Sequence, residues 1–184
     1  MNRRVALKNL GILTGGIVLL PSCDFSPKKV AFTLQAFQVT EDQVKIVQNI
    51  VDILLPKGEI PGALELKVDE FVWVMLKDCI PEKNQNEFLS GLKKLEENSK
   101  KITGNFFNEL DASEREVYLR EALADTSQEN AEEQQFLNFT KNMTILGYMQ
   151  SEYILTKEMP YTLIPGTFGL CETIDNHKRV NINA

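Results

Sequence analysis

The strongest constraint on this chain is a helix start written in four residues and answered by a helix-long apolar period. Thr40 stands three residues before Gln43, the spacing at which the two side chains satisfy each other's backbone N–H groups, and Val39 and Val44 flank them as a hydrophobic staple. Val44, Val47, Ile50, Val51 and Leu54 then recur at the 3.6-residue period of an amphipathic helix. That predicts a helix over 41–55, closed by Pro56, whose ring cannot continue the hydrogen-bond ladder.

The pattern repeats along the chain. After the turn-rich loop Pro56-Lys57-Gly58-Glu59-Ile60-Pro61-Gly62, Leu64, Val68, Phe71, Val72, Met75 and Leu76 predict a helix over 63–79. Trp73 and Val74 lie off that stripe, so this helix should be buried on more than one side. Pro81 marks the next break, and Phe88, Leu92 and Leu95 point inward from a helix over 82–98. Phe106, Phe107 and Leu110 suit a short helix. Asp111 with Glu114 makes a second capping box, opening a helix over 112–124 that carries Val117, Tyr118, Leu119, Ala122 and Leu123.

A polar turn at Asp125-Thr126-Ser127 leads into the longest predicted helix, 129–156, with the seam Phe136, Phe139, Met143, Gly147 (or Leu146), Met149 and Tyr153. Beyond Pro160 the periodicity stops. Tyr161 to Asp175 reads as an ordered loop or short extended segment, and the residues from Asn176 as a frayed tail. Val30 to Leu34 suits extended backbone, but no strand set is large enough for a sheet. The expected fold class is all-α: a small single-domain helical bundle with an irregular C-terminal loop segment.

The N-terminus reads as an address. Arg3, Arg4 and Lys8 precede an apolar run from Leu10 to Leu20, the n-region and h-region of a signal peptide. That run of 11 residues is too short to cross about 30 Å of hydrocarbon as a helix. Leu20-Pro21-Ser22-Cys23 resembles the lipobox of bacterial lipoproteins, in which the cysteine receives a diacylglyceryl group and becomes the mature N-terminus. Pro21 is unusual at its place, and a free cysteine after an ordinary signal is the competing reading. Arg3, Arg4, Leu7 and Lys8 also match a twin-arginine export signal, although Ala6 stands where phenylalanine is common. A general secretory signal that holds two arginines is the alternative. The chain therefore divides into a signal peptide (1–22), a lipidated tether (23–39), a helical domain (40–175) and a tail (176–184), with a periplasmic, membrane-anchored location expected.

Removing residues 1–22 leaves 162 residues, enough for one domain with a real core. The signal carries three of the 20 Lys and Arg, so 17 face 26 Asp and Glu in the remainder, a formal charge of about −9. Nucleic-acid binding needs a basic stripe to neutralise phosphate, and this chain has none. With Cys23 acylated, Cys79 and Cys171 are left in a compartment where a disulfide can persist. They either pair or stand as two separate buried thiols, since spacing alone does not place their Cα atoms together.

Chemistry is sparse. No CxxC accompanies the single histidine, His177, so zinc and haem sites of the usual spacing are not expected. Gly166-Thr167-Phe168-Gly169 lacks the third glycine and the strand-to-helix setting of a dinucleotide loop. His177, in a polar tail, reads as a solvated surface residue. Glu65, Asp69 and Glu70 sit at a helix start, where the dipole alone accounts for them. Asp52, on a largely apolar helix, should find a partner nearby. The aromatic residues Trp73, Tyr148, Tyr153 and Phe168 are candidates for a partner interface, where aromatics are enriched.

Three segments carry a family resemblance. They are Asp52-Ile53-Leu54-Leu55-Pro56 with Pro61-Gly62-Ala63, then Phe88-Leu89-Ser90-Gly91-Leu92, then Leu146-Gly147-Tyr148-Met149-Gln150-Ser151-Glu152 with Ile164-Pro165-Gly166-Thr167-Phe168. In this order, behind a twin-arginine-like signal, they resemble the small subunit of membrane-bound gluconate 2-dehydrogenase, the subunit 3 family, across residues 40–172. The resemblance implies a chain that holds no cofactor and accompanies a large flavoprotein dehydrogenase, which carries the FAD and acts on a sugar or sugar acid. In several members a cytochrome c subunit takes the electrons. The small subunit is thought to help the flavoprotein mature and cross the membrane, and Cys23 adds an anchor that some relatives lack. The competing functions are a helical envelope lipoprotein unrelated to redox and a free-standing enzyme.

Overall fold

In the computed structural model, which describes residues 29–33, 38–125 and 127–159, Thr40 does what its spacing implies. Its side chain accepts from the Gln43 N–H at 3.3 Å, and Gln43 Oε1 accepts from the Thr40 N–H at 3.0 Å. Helix α1 (Glu41–Leu54) starts there and buries Ile46, Val47, Ile50 and Val51. Just before it, strands β1 (Val30–Thr33) and β2 (Gln38–Thr40) pair antiparallel, and Val39 is fully buried in the core. Phe32 meets Trp73 edge to face at 5.1 Å. Part of the segment read as a tether thus packs onto the bundle.

Helix α2 (Val68–Cys79) begins five residues later than the periodicity implies. Residues 63–67 make a single turn that closes on itself: the Val68 N–H reaches the Ala63 carbonyl at 3.0 Å and the Lys67 N–H reaches the Leu64 carbonyl at 3.1 Å. This is the Schellman closure of a helix end. Lys67 takes the left-handed position at φ 57°, a place that usually belongs to glycine. Without that glycine the break has no mark in the sequence.

Helix α3 (Glu82–Thr103) runs five residues past its predicted end and stops at Gly104, φ 86°. Asn98, at the predicted end, and Ser99, the first residue beyond it, are polar yet buried. A 3-10 turn (Phe107–Glu109) follows, then α4 (Ala112–Ala124), opened by the Asp111–Glu114 capping box at the predicted bounds. Helix α5 (Ala131–Met149) is shorter than the expected helix. The chain bends at Gln150–Ser151 and re-forms as a π-helical turn, Ile154–Glu158, with the Met159 N–H on the Ile154 carbonyl at 2.7 Å.

The long pair α3 and α5 forms the spine, with α2 and α1 packed beside α5. Gly91 is the reason the spine is tight: a Cβ there would lie 2.6 Å from Phe136 Cβ and closer still to the Glu132 carbonyl. Around the crossing an aromatic row runs Phe32, Trp73, Phe88 and then Phe136 and Phe139, each contact edge to face at 4.8–5.6 Å. Edge-to-face pairs align the positive edge of one ring with the negative face of the next. The fold is all-α as the periodicity implies, but β1 and β2 form a two-stranded sheet where the sequence predicts none. Met149, placed on the buried seam by the sequence, is 43% exposed, because Phe136, Thr140, Thr144 and Gly147 occupy the inward face of α5. No helix among the described residues is long and apolar enough to cross a membrane.

Candidate functional site

The loop after α1 is built to double back. A Cβ on Gly62 would lie 2.7 Å from the Lys57 nitrogen, so only glycine lets residues 57–62 close. The Ala63 N–H reaches the Leu55 carbonyl at 2.9 Å, which pins the loop to the C-terminal end of α1. Glu65 then turns back to pair with Lys57 and to accept the Gly62 N–H at 3.3 Å. The Lys57 hydrogen bond, helped by Gly62, holds the Glu65 carboxyl below its ordinary range.

Against this loop stands the end of α5. Gly147 faces Phe71 of α2 so closely that a Cβ would lie 2.6 Å from the ring. One residue on, the half-buried Tyr148 donates its hydroxyl to the Pro61 carbonyl at 2.9 Å. Burial, with the nearby Glu158 and Tyr153, raises the Tyr148 hydroxyl above the usual phenol range. Ser151 donates its hydroxyl to the Tyr148 carbonyl at 2.7 Å, which helps fix the bend.

That bend sets the half-buried Tyr153 between two open grooves. One, of about 360 Å³, is walled by Leu66, Lys67, Thr156 and Lys157; the other, of about 480 Å³, by Lys57, Glu59 and Ile60. Glu65, Leu66 and Tyr153 line both. Three lysines (Lys57, Lys67, Lys157) and three glutamates (Glu59, Glu65, Glu152) share the walls. The grooves thus offer an amphipathic aromatic ring, apolar Leu66 and Ile60, and charges of both signs. An aromatic ring with a polar tip is what protein-contact surfaces favour at their centre, while the lysines and glutamates suit only a polar rim. Among the described residues no group of three or more acidic, histidine or cysteine side chains is placed to hold a metal.

The site therefore joins two of the three segments that carried the family resemblance, Pro56 to Ala63 and Leu146 to Glu152. The third, Phe88 to Leu92, forms the α3 side of the spine. One sequence profile matches the chain over residues 41–166, that of gluconate 2-dehydrogenase subunit 3. This chain belongs to the gluconate 2-dehydrogenase subunit 3 family. The match opens on Glu41, the first residue of α1, and covers every helix described above. No curated protein and no solved structure matches the chain.

For this subunit 3 protein the sequence expectations divide. Tyr148 and Tyr153 meet at one site, as two of the four aromatic candidates. Trp73 does not join them: it is 6% exposed, enclosed edge to face by Phe32 and Phe88, and belongs to the core. Its placement off the stripe reflects a helix buried on two sides rather than an interface. Phe168 lies outside the described residues, as do Arg3, Arg4, Leu7, Lys8, Leu20, Ser22, Cys23, Cys171 and His177. Cys79, read as a buried thiol in one alternative, is exposed. Asp52 is exposed as well and takes no partner among the described residues, because it projects from the solvent face of α1. Asp69 is the buried acid of its group, accepting from Gln48 Nε2 at 2.9 Å, while Glu70 pairs with Lys67 at 3.4 Å.

One buried polar cluster leaves almost no mark in the sequence. Glu133 is 3% exposed, and its carboxylate accepts from Tyr118 Oη at 2.6 Å and from Asn98 Nδ2. It ties α3, α4 and α5 together. In the sequence it looks like any acid in a first helical turn, and only the polar Asn98 facing inward at Leu95 plus three hinted otherwise. Burial first, and the Glu133 carboxylate second, push the Tyr118 hydroxyl far above the usual phenol range.

Proposed function

We propose that this subunit 3 protein is the non-catalytic small subunit of a flavin-dependent sugar or sugar-acid dehydrogenase, and that it escorts that enzyme across the membrane and anchors it on the periplasmic side. Membership of the subunit 3 family over residues 41–166 is the observation that carries the reading. FAD then resides in the large partner, with haem c in a third, cytochrome subunit of some complexes. Arg3, Arg4, Leu7 and Lys8 supply the export signal. A flavoprotein must fold around its cofactor before export, so it needs the folded-protein route, and a partner bearing the signal provides it.

Leu20, Ser22 and Cys23 supply the anchor. Each buried methylene of a lipid chain contributes about 0.8 kcal/mol, and more than one chain makes attachment stable. The grooves around Tyr153 supply the contact with the dehydrogenase, an aromatic ring with a polar tip set among apolar and charged neighbours. Affinity purification of the intact lipoprotein, followed by mass spectrometry and an absorbance spectrum, tests the proposal. A large flavoprotein without its own signal peptide should co-purify with a flavin spectrum. A protein that purifies alone and colourless contradicts it, and favours a helical envelope lipoprotein unrelated to redox.

A further inference from the structure

We infer that the end of the bundle carrying Ile102 and Phe106 rests on the bilayer surface, and that α1 holds the Tyr153 grooves away from the membrane. The inference rests on the proposed acylation of Cys23. Its first support is the place where the chain enters the fold. The Lys29 carbonyl accepts the Glu41 N–H at 2.9 Å, so the tether meets the bundle at the first turn of α1. Six peptide steps separate Cys23 from Lys29, and fully extended chain spans at most about 3.6 Å per residue, or about 22 Å in all. Whatever path those residues take, an acylated Cys23 keeps the first turn of α1 within that reach of the headgroups.

The second support is what surrounds that turn. The Asn108 side chain donates to the Asp42 carbonyl at 3.0 Å and accepts from Asn49 Nδ2 at 2.9 Å, which lays the 3-10 turn along the first half of α1, a few residues after the end of α3. There Ile102 is 68% exposed, the most exposed large apolar residue described, and Phe106 is 40% exposed. The Lys100 ammonium stands 4.2 Å over the Phe106 ring. An apolar pair beside lysines with long stems suits the headgroup boundary, where Ile102 and the edge of the Phe106 ring reach toward the acyl region and the Lys100 ammonium, stacked on that ring, stays at headgroup level. Lys29 and Lys100 share this end with Glu41, Asp42 and Glu109, so the contact is apolar rather than a polybasic attraction and should respond little to salt.

The opposite end of α1 carries the docking site. The Ala63 N–H bonds the Leu55 carbonyl there, and Pro61 accepts from Tyr148. Fourteen helical residues at 1.5 Å each set the two ends about 21 Å apart. The helix is a spacer, with lipid at one end and partner at the other.

Depth-dependent quenching tests this. Acylated protein lacking its other thiols (Cys79→Ser, Cys171→Ser) receives one environment-sensitive dye at Ile102→Cys, Phe106→Cys or Thr156→Cys. It is reconstituted into phosphatidylethanolamine–phosphatidylglycerol vesicles with or without a doxyl-labelled lipid. Dyes at 102 and 106 should lose most of their emission to the doxyl lipid, and the dye at 156 should keep its own. Protein that floats with the vesicles while 102 and 106 are quenched no more than 156 overturns the proposed orientation and leaves the anchor standing. A blue shift at 102 without lipid quenching overturns it in favour of a protein partner on that face. Protein that fails to float overturns the anchor and this inference with it.

Discussion

The Tyr148 hydroxyl and the Pro61 carbonyl lie 2.9 Å apart, a hydrogen bond across 87 residues of sequence that fastens the end of α5 to the loop after α1. Two consequences follow from that single contact. The loop is held shut from outside as well as by its own Lys57–Glu65 pair, and the bend at Ser151 is held in register so that Tyr153 projects between the grooves. Tyr148→Phe keeps the ring and removes the bond. It should cost about 1 kcal/mol, the usual net value of one hydrogen bond, measured as a lower urea midpoint at unchanged slope.

Tyr153 has the opposite balance. It is half-buried, makes no side-chain hydrogen bond among the described residues, and lines both grooves. Tyr153→Ala should leave the melting temperature nearly unchanged and weaken binding to the dehydrogenase by about 2 kcal/mol, the size of a hot-spot truncation. Equal loss of stability and binding would return Tyr153 to the core.

The Tyr118–Glu133 contact predicts an alkaline limit. The folded-state pKa of Tyr118 is raised above that of the unfolded chain, first by burial and then by Glu133. The folded form therefore retains its proton where the unfolded form loses it. This contribution is fully present below the ordinary tyrosine pKa of about 10 and is lost progressively as pH rises above it. Tyr118→Phe should remove that part of the alkaline slope. It should also cost about 1.5–3 kcal/mol at neutral pH, because a buried carboxylate loses a donor. Chemical denaturation at a series of pH values measures both.

Close packing at the spine gives a sharper test. Gly91→Ala drives a methyl group into the Glu132 carbonyl and to within 2.6 Å of Phe136 Cβ. Overpacking of this kind costs about 1–3 kcal/mol, despite alanine's better helix propensity. In a thermal melt a stabilised Gly91→Ala variant would show that α3 and α5 do not cross this closely.

Much of this architecture is legible in the residues, because its signals are local. Thr40 with Gln43 and Asp111 with Glu114 need only three residues to show a helix start, and both boxes form. What stayed hidden depends on contacts made far along the chain. Lys67 carries no mark of a left-handed backbone, and a glycine there should raise stability by relieving the Cβ clash. Asn98 and Ser99 looked like the end of a helix because their partners, Glu133 and the Asn105 carbonyl, lie across the fold or past the helix end. The bend at Gln150–Ser151 has no proline or glycine to announce it. Trp73 was ambiguous for a related reason: an aromatic residue off the main stripe fits an interface or a second buried side, and Phe32, in a segment that reads as a tether, decides for the second. Of the candidate site, the two tyrosines are visible in the sequence, but their convergence on Pro61 and Glu65 is a property of the tertiary fold.

The central claim is that this subunit 3 protein delivers a dehydrogenase to the envelope and holds it there. Separating cytoplasm from envelope and measuring the flavoprotein in each, with and without this gene, tests it most directly. The account predicts that deletion leaves the dehydrogenase in the cytoplasm, and that a Cys23→Ala gene restores export but releases the enzyme from the membrane. A dehydrogenase that reaches the membrane normally in the deletion strain would contradict it.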